Sequence, residues 1–256
     1  MNAQDLDKAY QKKKTLLRER GNLSLRHLED VWHRRTAGRY IGDVIFGAND
    51  GIITTFAVVA GATGGHLDAT VVIILGLANL FADGLSMGLG NYLGQKSERD
   101  YARGQRKKEL WEIDNLPEIE TQEIQEIFYK WGFRDADLAR AVSIIQKDKN
   151  VWTDIMMKYE LEIYEAPVGS PLKKGAATFV AFAMAGFVPL LPYILHLPGP
   201  FWWAVGLTAV ELFAIGAARA RLTPITWLKA GLEMLAIGAI AALAAYGIGN
   251  LLQAIL

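Results

Sequence analysis

Five apolar runs dominate this chain, at roughly 41–63, 69–94, 173–195, 201–218 and 229–252. Each is long enough for a helix to cross the ~30 Å of bilayer hydrocarbon, which takes about 20 residues. Backbone placed in lipid must satisfy its own hydrogen bonds, so runs of this kind read as membrane-spanning helices and not as the core of a soluble globule. Between the second and third runs lies a polar stretch, from about Gln95 to Pro171, that holds 16 of the 27 acidic residues. The expected fold is an all-α integral membrane protein. It has five transmembrane helices, an N-terminus in the cytosol, and an all-helical cytosolic insert between spans two and three.

Charge sets the expected topology. The chain has 27 Lys and Arg against 27 Asp and Glu, but the basic residues are segregated. Residues 1–40 hold ten, residues 95–174 hold 14, and the turn between spans four and five holds Arg219, Arg221 and Lys229. The connections Gly64–Asp68 and His196–Pro200 hold none. Short loops rich in Lys and Arg stay cytosolic, which puts the N-terminus, the insert and the last turn on one side. A formally neutral chain of this kind is not expected to have a nucleic-acid partner. The absence of cysteine excludes disulfides, thiolate metal sites and thiol nucleophiles.

Four parts follow: a cytosolic N-terminal segment 1–40, spans one and two over 41–94, the insert over 95–171, and spans three to five over 172–256. The first segment lacks the short apolar core of a signal peptide. Its Leu16, Leu17, Leu25, Leu28, Val31 and Trp32 suggest an amphipathic helix on the membrane surface. In the insert, a first helix continues from span two to about Ile113, and Asp114-Asn-Leu-Pro117 breaks it, the proline being placed to start the next. That second helix ends near Trp131-Gly132, a third begins around Asp135, and a fourth covers roughly Val151–Glu165.

An ionisable residue inside a span is costly and marks function by default. Span one carries Asp43 and Asp50 seven residues apart on one helical face. Span two carries Asn79, Asp83 and Met87 at steps of four. Two such stripes, facing each other, would make a path for a divalent cation. Glu211 lies near the middle of span four, and Glu233 lies one turn beyond Lys229 with which it is placed to pair. The small-xxx-small glycines Gly47, Gly51, Gly84 and Gly88 are expected to allow close helix packing, with the dimer seam as the candidate place. The insert offers a second candidate. Glu109 and Glu112 are spaced i, i+3, Glu120 and Glu123 repeat that spacing, and Met156, Met157 and Glu160 follow on the last helix. Helical Glu pairs are mostly solvated faces, and paired methionines are mostly core. Carboxylates together with a thioether would favour a first-row metal such as Fe²⁺ or Mn²⁺ over Mg²⁺ or Ca²⁺.

The run Ile41–Thr55, IGDVIFGANDGIITT, resembles the first span of the vacuolar iron transporter family, and Gly76–Gly90, GLANLFADGLSMGLG, followed by Lys96-Ser-Glu98, resembles its second. Arg219–Thr223 and Gly231–Leu235 are similar to its last two. The resemblance implies a homodimer of five-span subunits that moves Fe²⁺ out of the cytosol against protons. It implies a translocation path through Asp43 and Met87, and insert ligands at Glu109, Glu112, Glu120, Glu123, Met156, Met157 and Glu160. Two positions depart from it, because Asn79 and Asn91 stand where many members carry glutamate; Asp83, one turn from Asn79, is the expected substitute charge. The alternative reading is a membrane-tethered metal sensor or buffer without flux. A di-metal enzyme is not expected, since such sites use Glu-x-x-His pairs and no histidine here follows a glutamate by three. No cofactor other than the carried or bound metal is expected. The short termini lean toward a prokaryotic plasma membrane, with the vacuolar membrane as the eukaryotic equivalent.

Overall fold

A computed structural model of the chain describes residues 35–163, 169–220 and 225–255, with side chains from residue 40. The amphipathic segment expected before residue 35 and residues 164–168, 221–224 and 256 lie outside the described residues. The elements are all helical: α1 (Arg35–Gly64), α2 (Ala69–Asn115), α3 (Pro117–Lys130), α4 (Asp135–Ile145), α5 (Lys149–Tyr159), α6 (Pro171–Phe187), a 3₁₀ turn (Val188–Leu190), α7 (Leu191–Ile194), α8 (Pro200–Arg219) and α9 (Trp227–Ile255). Five helical stretches are long and apolar enough to cross a membrane: Tyr40–Gly64, the apolar part of α2, Pro171–Ile194, Pro200–Arg219 and Trp227–Ile255.

The third span is not one uninterrupted α-helix. Pro189 has no N–H to give the preceding turn, so the helix tightens into the 3₁₀ segment before α7 resumes. Spans one and three both stop by the same backbone device. Leu67 and His66 donate their N–H groups to the carbonyls of Ala62 and Thr63, at 2.9 and 3.0 Å. Leu197 and His196 do the same to Pro192 and Tyr193, at 3.0 and 3.1 Å. Each is a Schellman stop, and its left-handed residue is a histidine (φ 56° and 52°) where glycine is usual.

The chain divides into two compact units, one of the residues up to Tyr92 with those from Leu172 onward, the other Leu93–Pro171. In the first, spans pack where side chains are smallest. A Cβ on Gly47 would collide with the Thr178 carbonyl of α6, and one on Gly51 with that of Phe182. Gly84 and Gly88 of α2 receive the rings of Phe182 and Phe179 and the carbonyl of Gly175. These four glycines therefore serve contacts inside the subunit. That corrects their expected use at a dimer seam; α6 is the partner that the spacing alone did not identify. Gly64 and Gly249 bring α1 against α9, and Gly216 brings α8 against Ala230 and Gly231 of α9.

The second unit is a small helical domain with its own apolar core of Ile113, Ile124, Ile127, Phe128, Val142, Trp152 and Met156. Pro117 opens α3, as its fixed φ favours at a first turn. Asp148 caps α5 by accepting from the N–H groups of Asn150 (2.9 Å) and Val151 (3.3 Å). That cap starts α5 two residues before the expected Val151. The helix ends at Tyr159, short of the expected Glu165, because Leu161 and Ile163 turn back onto the carbonyls of Met156 and Met157 with Glu162 in the left-handed region. Ion pairs of Arg106 with Asp154 and of Lys149 with Asp114 tie the α2 extension to α5.

Candidate metal centre

Three insert glutamates from three helices converge. Glu109 comes from the α2 extension, Glu120 from the first turn of α3 and Glu160 from the end of α5, and one carboxylate oxygen of each lies within 4.8 Å of the other two. Glu109 and Glu120 are almost wholly buried, at 2% and 3% exposure. Glu109 Oε1 and Glu120 Oε2 find no hydrogen-bond partner among the described residues. Burying a charge without a counter-ion is expensive, and here three carboxylates share one place. Glu160 also stands at a helix C-terminus, the end whose carbonyl dipoles repel an anion.

Protonation is pushed accordingly. Burial, then the charge of Glu120 and a hydrogen bond with it, raises Glu109 to about 8. Burial, then the charges of Glu123, Glu120 and Glu112, raises Glu160 to about 7. Burial also raises Glu120, but its bond with Glu109 opposes the shift, so Glu109 is the acid that keeps the proton and donates it to Glu120. Burial with the charges of Glu112 and Glu126 raises Glu123. Glu112 and Glu123 thus stand at the edge of the same field. The cation within reach is Lys108, 3.4 Å from Glu112 and felt by Glu120 and Glu160. Its position, four residues before Glu112, was visible in the sequence. The part of Glu126 was not singled out.

Five of the seven expected insert ligands are therefore brought into one electrostatic cluster. The two methionines are placed differently. Met156 is fully buried in the apolar core beside Ile113, Ile124 and Trp152, and Met157 is buried on the neighbouring face of α5.

In the membrane unit, α1 and α2 run antiparallel with their polar stripes facing. Asn91 Nδ2 of α2 donates to Asp43 Oδ1 of α1 at 2.8 Å. Two turns along α1, Asp50 lies near enough to Asp83 of α2 for their charges to repel. Met87 stands between Asp83 and Asn91 on the α2 stripe, and Gly47 stands between the two aspartates on α1. Asn79 is half-buried further along, its Nδ2 without a partner among the described residues. Asn91 was read in the sequence as a carboxylate lost; the structure shows an amide that bonds Asp43. Thr178, which accepts a second bond from Asn91 at 2.7 Å, was missed, and a lone threonine in an apolar run gave no signal. Glu233 pairs with Arg219 at 2.7 Å. That corrects the expected Lys229 partner: α8 returns against α9, and Lys placed four residues before Glu is the weaker helical order.

Comparison with known proteins agrees with the resemblance seen in the spans. The VIT family matches residues 41–250. The chain is 34% identical over 220 residues to vacuolar iron transporter 1 of Arabidopsis thaliana, covering 85% of this chain and 88% of that protein. It is 35% identical over 232 residues to the vacuolar iron transporter of Toxoplasma gondii, covering 86% and 77%. A Plasmodium falciparum vacuolar iron transporter is 34% identical over 221 residues, covering 82% and 81%. Five helices fit to span a membrane, an acidic insert between the second and third, and similarity along nearly the whole chain make this protein a member of the VIT family, a family of transporters and not of enzymes.

Proposed function

We propose that the protein carries Fe²⁺ out of the cytosol, accepts Mn²⁺ as well, exchanges the metal for protons, and works as a homodimer. The observation that carries this reading is the convergence of the buried Glu109 and Glu120 with Glu160 at the exposed side of the cluster, a carboxylate field in which Lys108 is the lysine felt among the described residues. A divalent cation supplies the charge the cluster lacks. Metal capture then proceeds by proton release, because a ligating carboxylate must be deprotonated. Glu109 gives up its proton, and Glu112 and Glu123 raise the local cation concentration from the rim. Met156 and Met157 stay in the proposal as the thioethers on the same helix as Glu160.

The translocation path is assigned to Asp43, Asp50, Asn79, Asp83 and Met87 on the facing stripes of α1 and α2. An ion entering there meets carboxylates from both helices and one soft sulfur. Protons from the far side reload the carboxylates and release the metal. The named relatives are vacuolar and eukaryotic, so they lend no support to a prokaryotic plasma membrane. What carries over from their names is iron transport across a membrane.

Metal uptake into proteoliposomes with an imposed pH gradient tests the reading, comparing Fe²⁺, Mn²⁺ and Zn²⁺ for the wild type and Asp43→Ala. Uptake of Fe²⁺ and Mn²⁺ with opposite proton movement, lost in Asp43→Ala, is expected. Well-folded protein that binds metal yet shows no flux would overturn it in favour of the sensor or buffer.

A further inference from the structure

We infer that Asn91 is the positioning residue of the transport path: its amide holds the Asp43 carboxylate in the orientation that receives the metal. The inference rests on the proposed path through Asp43. Asn91 Nδ2 gives one hydrogen to Asp43 Oδ1 at 2.8 Å and the other to Thr178 Oγ1 at 2.7 Å. The Thr178 hydroxyl is itself committed as a donor to the Lys174 carbonyl at 3.1 Å. In this arrangement both neighbours of the amide act as acceptors, and a group with two hydrogens satisfies both at once. An amide nitrogen does this, whereas a carboxylate at position 91 would need the Thr178 hydroxyl to leave the Lys174 carbonyl and turn toward it, and would meet the Asp43 carboxylate without a hydrogen to give.

The mechanical setting favours the same role. Thr178 is fully buried, and its backbone lies against Gly47, one turn from Asp43. The chain of bonds from the Lys174 carbonyl through Thr178 and Asn91 to Asp43 joins α6, α2 and α1 at the level of the first path aspartate. With Oδ1 engaged by the amide, Oδ2 is the oxygen left for a metal, and its direction follows from a side chain held at its other end. Partners that orient a metal ligand in this way typically change affinity or activity by roughly 10–100-fold when removed.

The test is the concentration dependence of Fe²⁺ uptake by the full chain in proteoliposomes, with folding followed by monodispersity and thermal melting. Asn91→Leu keeps the size of the side chain and removes both donors. Its half-saturating Fe²⁺ is expected to rise by about tenfold or more, with the maximal rate within about twofold of the wild type. Thr178→Val removes one anchor of the amide and is expected to shift half-saturation in the same direction by less. A loss confined to the maximal rate, or an unchanged half-saturation in Asn91→Leu, would overturn the inference. Should Asn91→Leu fail to fold, an unchanged half-saturation in Thr178→Val does so instead. Absence of uptake by the wild type would sink the transport reading itself, while uptake that ignores Asn91 would sink only this assignment.

Discussion

The two units treat acidic side chains in opposite ways. In the insert, Glu109, Glu120 and Glu160 are packed together so closely that protons must remain on some of them near neutral pH. In the membrane unit they are more spread out: Asp43 is bonded by Asn91, Asp50 faces Asp83 and Glu233 pairs with Arg219, while Glu211 Oε2 has no hydrogen-bond partner among the described residues. A crowded cluster gains most from a cation and gives it up reluctantly. A spaced series offers any one ion few ligands at a time. On the proposed function, the difference is that between a place where metal is kept and a line along which it passes.

Substitutions can break that contrast. The largest effect is expected from Asp83→Asn, which removes the α2 carboxylate facing Asp50. Uptake should fall to background while metal binding to the insert stays at the wild-type level, as read by proteoliposome flux and titration calorimetry on the same preparation. Survival of uptake would make Asp83 structural and would leave Asn79 without a substitute charge.

Next comes Glu109→Gln, which should lower the insert's affinity for Fe²⁺ or Mn²⁺ at neutral pH by an order of magnitude or more while relieving repulsion in the metal-free protein. The sign of the pH dependence follows from the raised proton affinities. Glu109 moves from an ordinary 4.5 to about 8, and Glu160 from 4.5 to about 7. The folded insert thus holds protons that the unfolded chain has released. Their contribution to stability is fully present below about pH 4.5 and is lost as the pH rises through 7 to 8. Metal-free wild type should therefore melt at lower temperature at pH 8 than at pH 5, and Glu109→Gln should flatten that slope. Saturating metal should reverse it, since deprotonation then aids binding. A wild-type melting temperature that rises with pH in the absence of metal would contradict the clustered arrangement.

The smallest effect belongs to the loops. His66→Gly replaces a side chain held at positive φ by the residue that tolerates it, and should stabilise the membrane unit by about 1 kcal/mol. Uptake should be unchanged. Thermal melting in detergent measures the gain, and a loss of stability would show that the His66 side chain holds the loop.

The spans and the insert glutamates were legible because each is a periodic feature. A long apolar run must be a helix in lipid, and i, i+3 spacing puts Glu109 with Glu112 and Glu120 with Glu123 on single faces. Which faces meet is a tertiary fact, and there the reading fell short. Asn91 looked like a deficit because its worth lies in two acceptors from α1 and α6, far away in sequence. Glu233 was matched to Lys229 because a local partner was visible and Arg219 was not. Met156 lies, in space, in a core shared with Ile113 and Trp152, a placement that its spacing from Glu160 did not announce.

The glycine contacts restrict how the membrane unit can move. Where α1 meets α6 at Gly47 and Gly51, α1 meets α9 at Gly64 and Gly249, and α8 meets α9 at Gly216, main chain lies directly on main chain. Sliding of packed helices in a conformational change is absorbed by side chains that change rotamer, and at these glycines there is no such layer. At these points the four helices are pinned close together, like staves glued edge to edge. On the proposed function, rocking that opens the path is expected to turn that group of helices together or bend one elsewhere in preference to shearing it at these contacts.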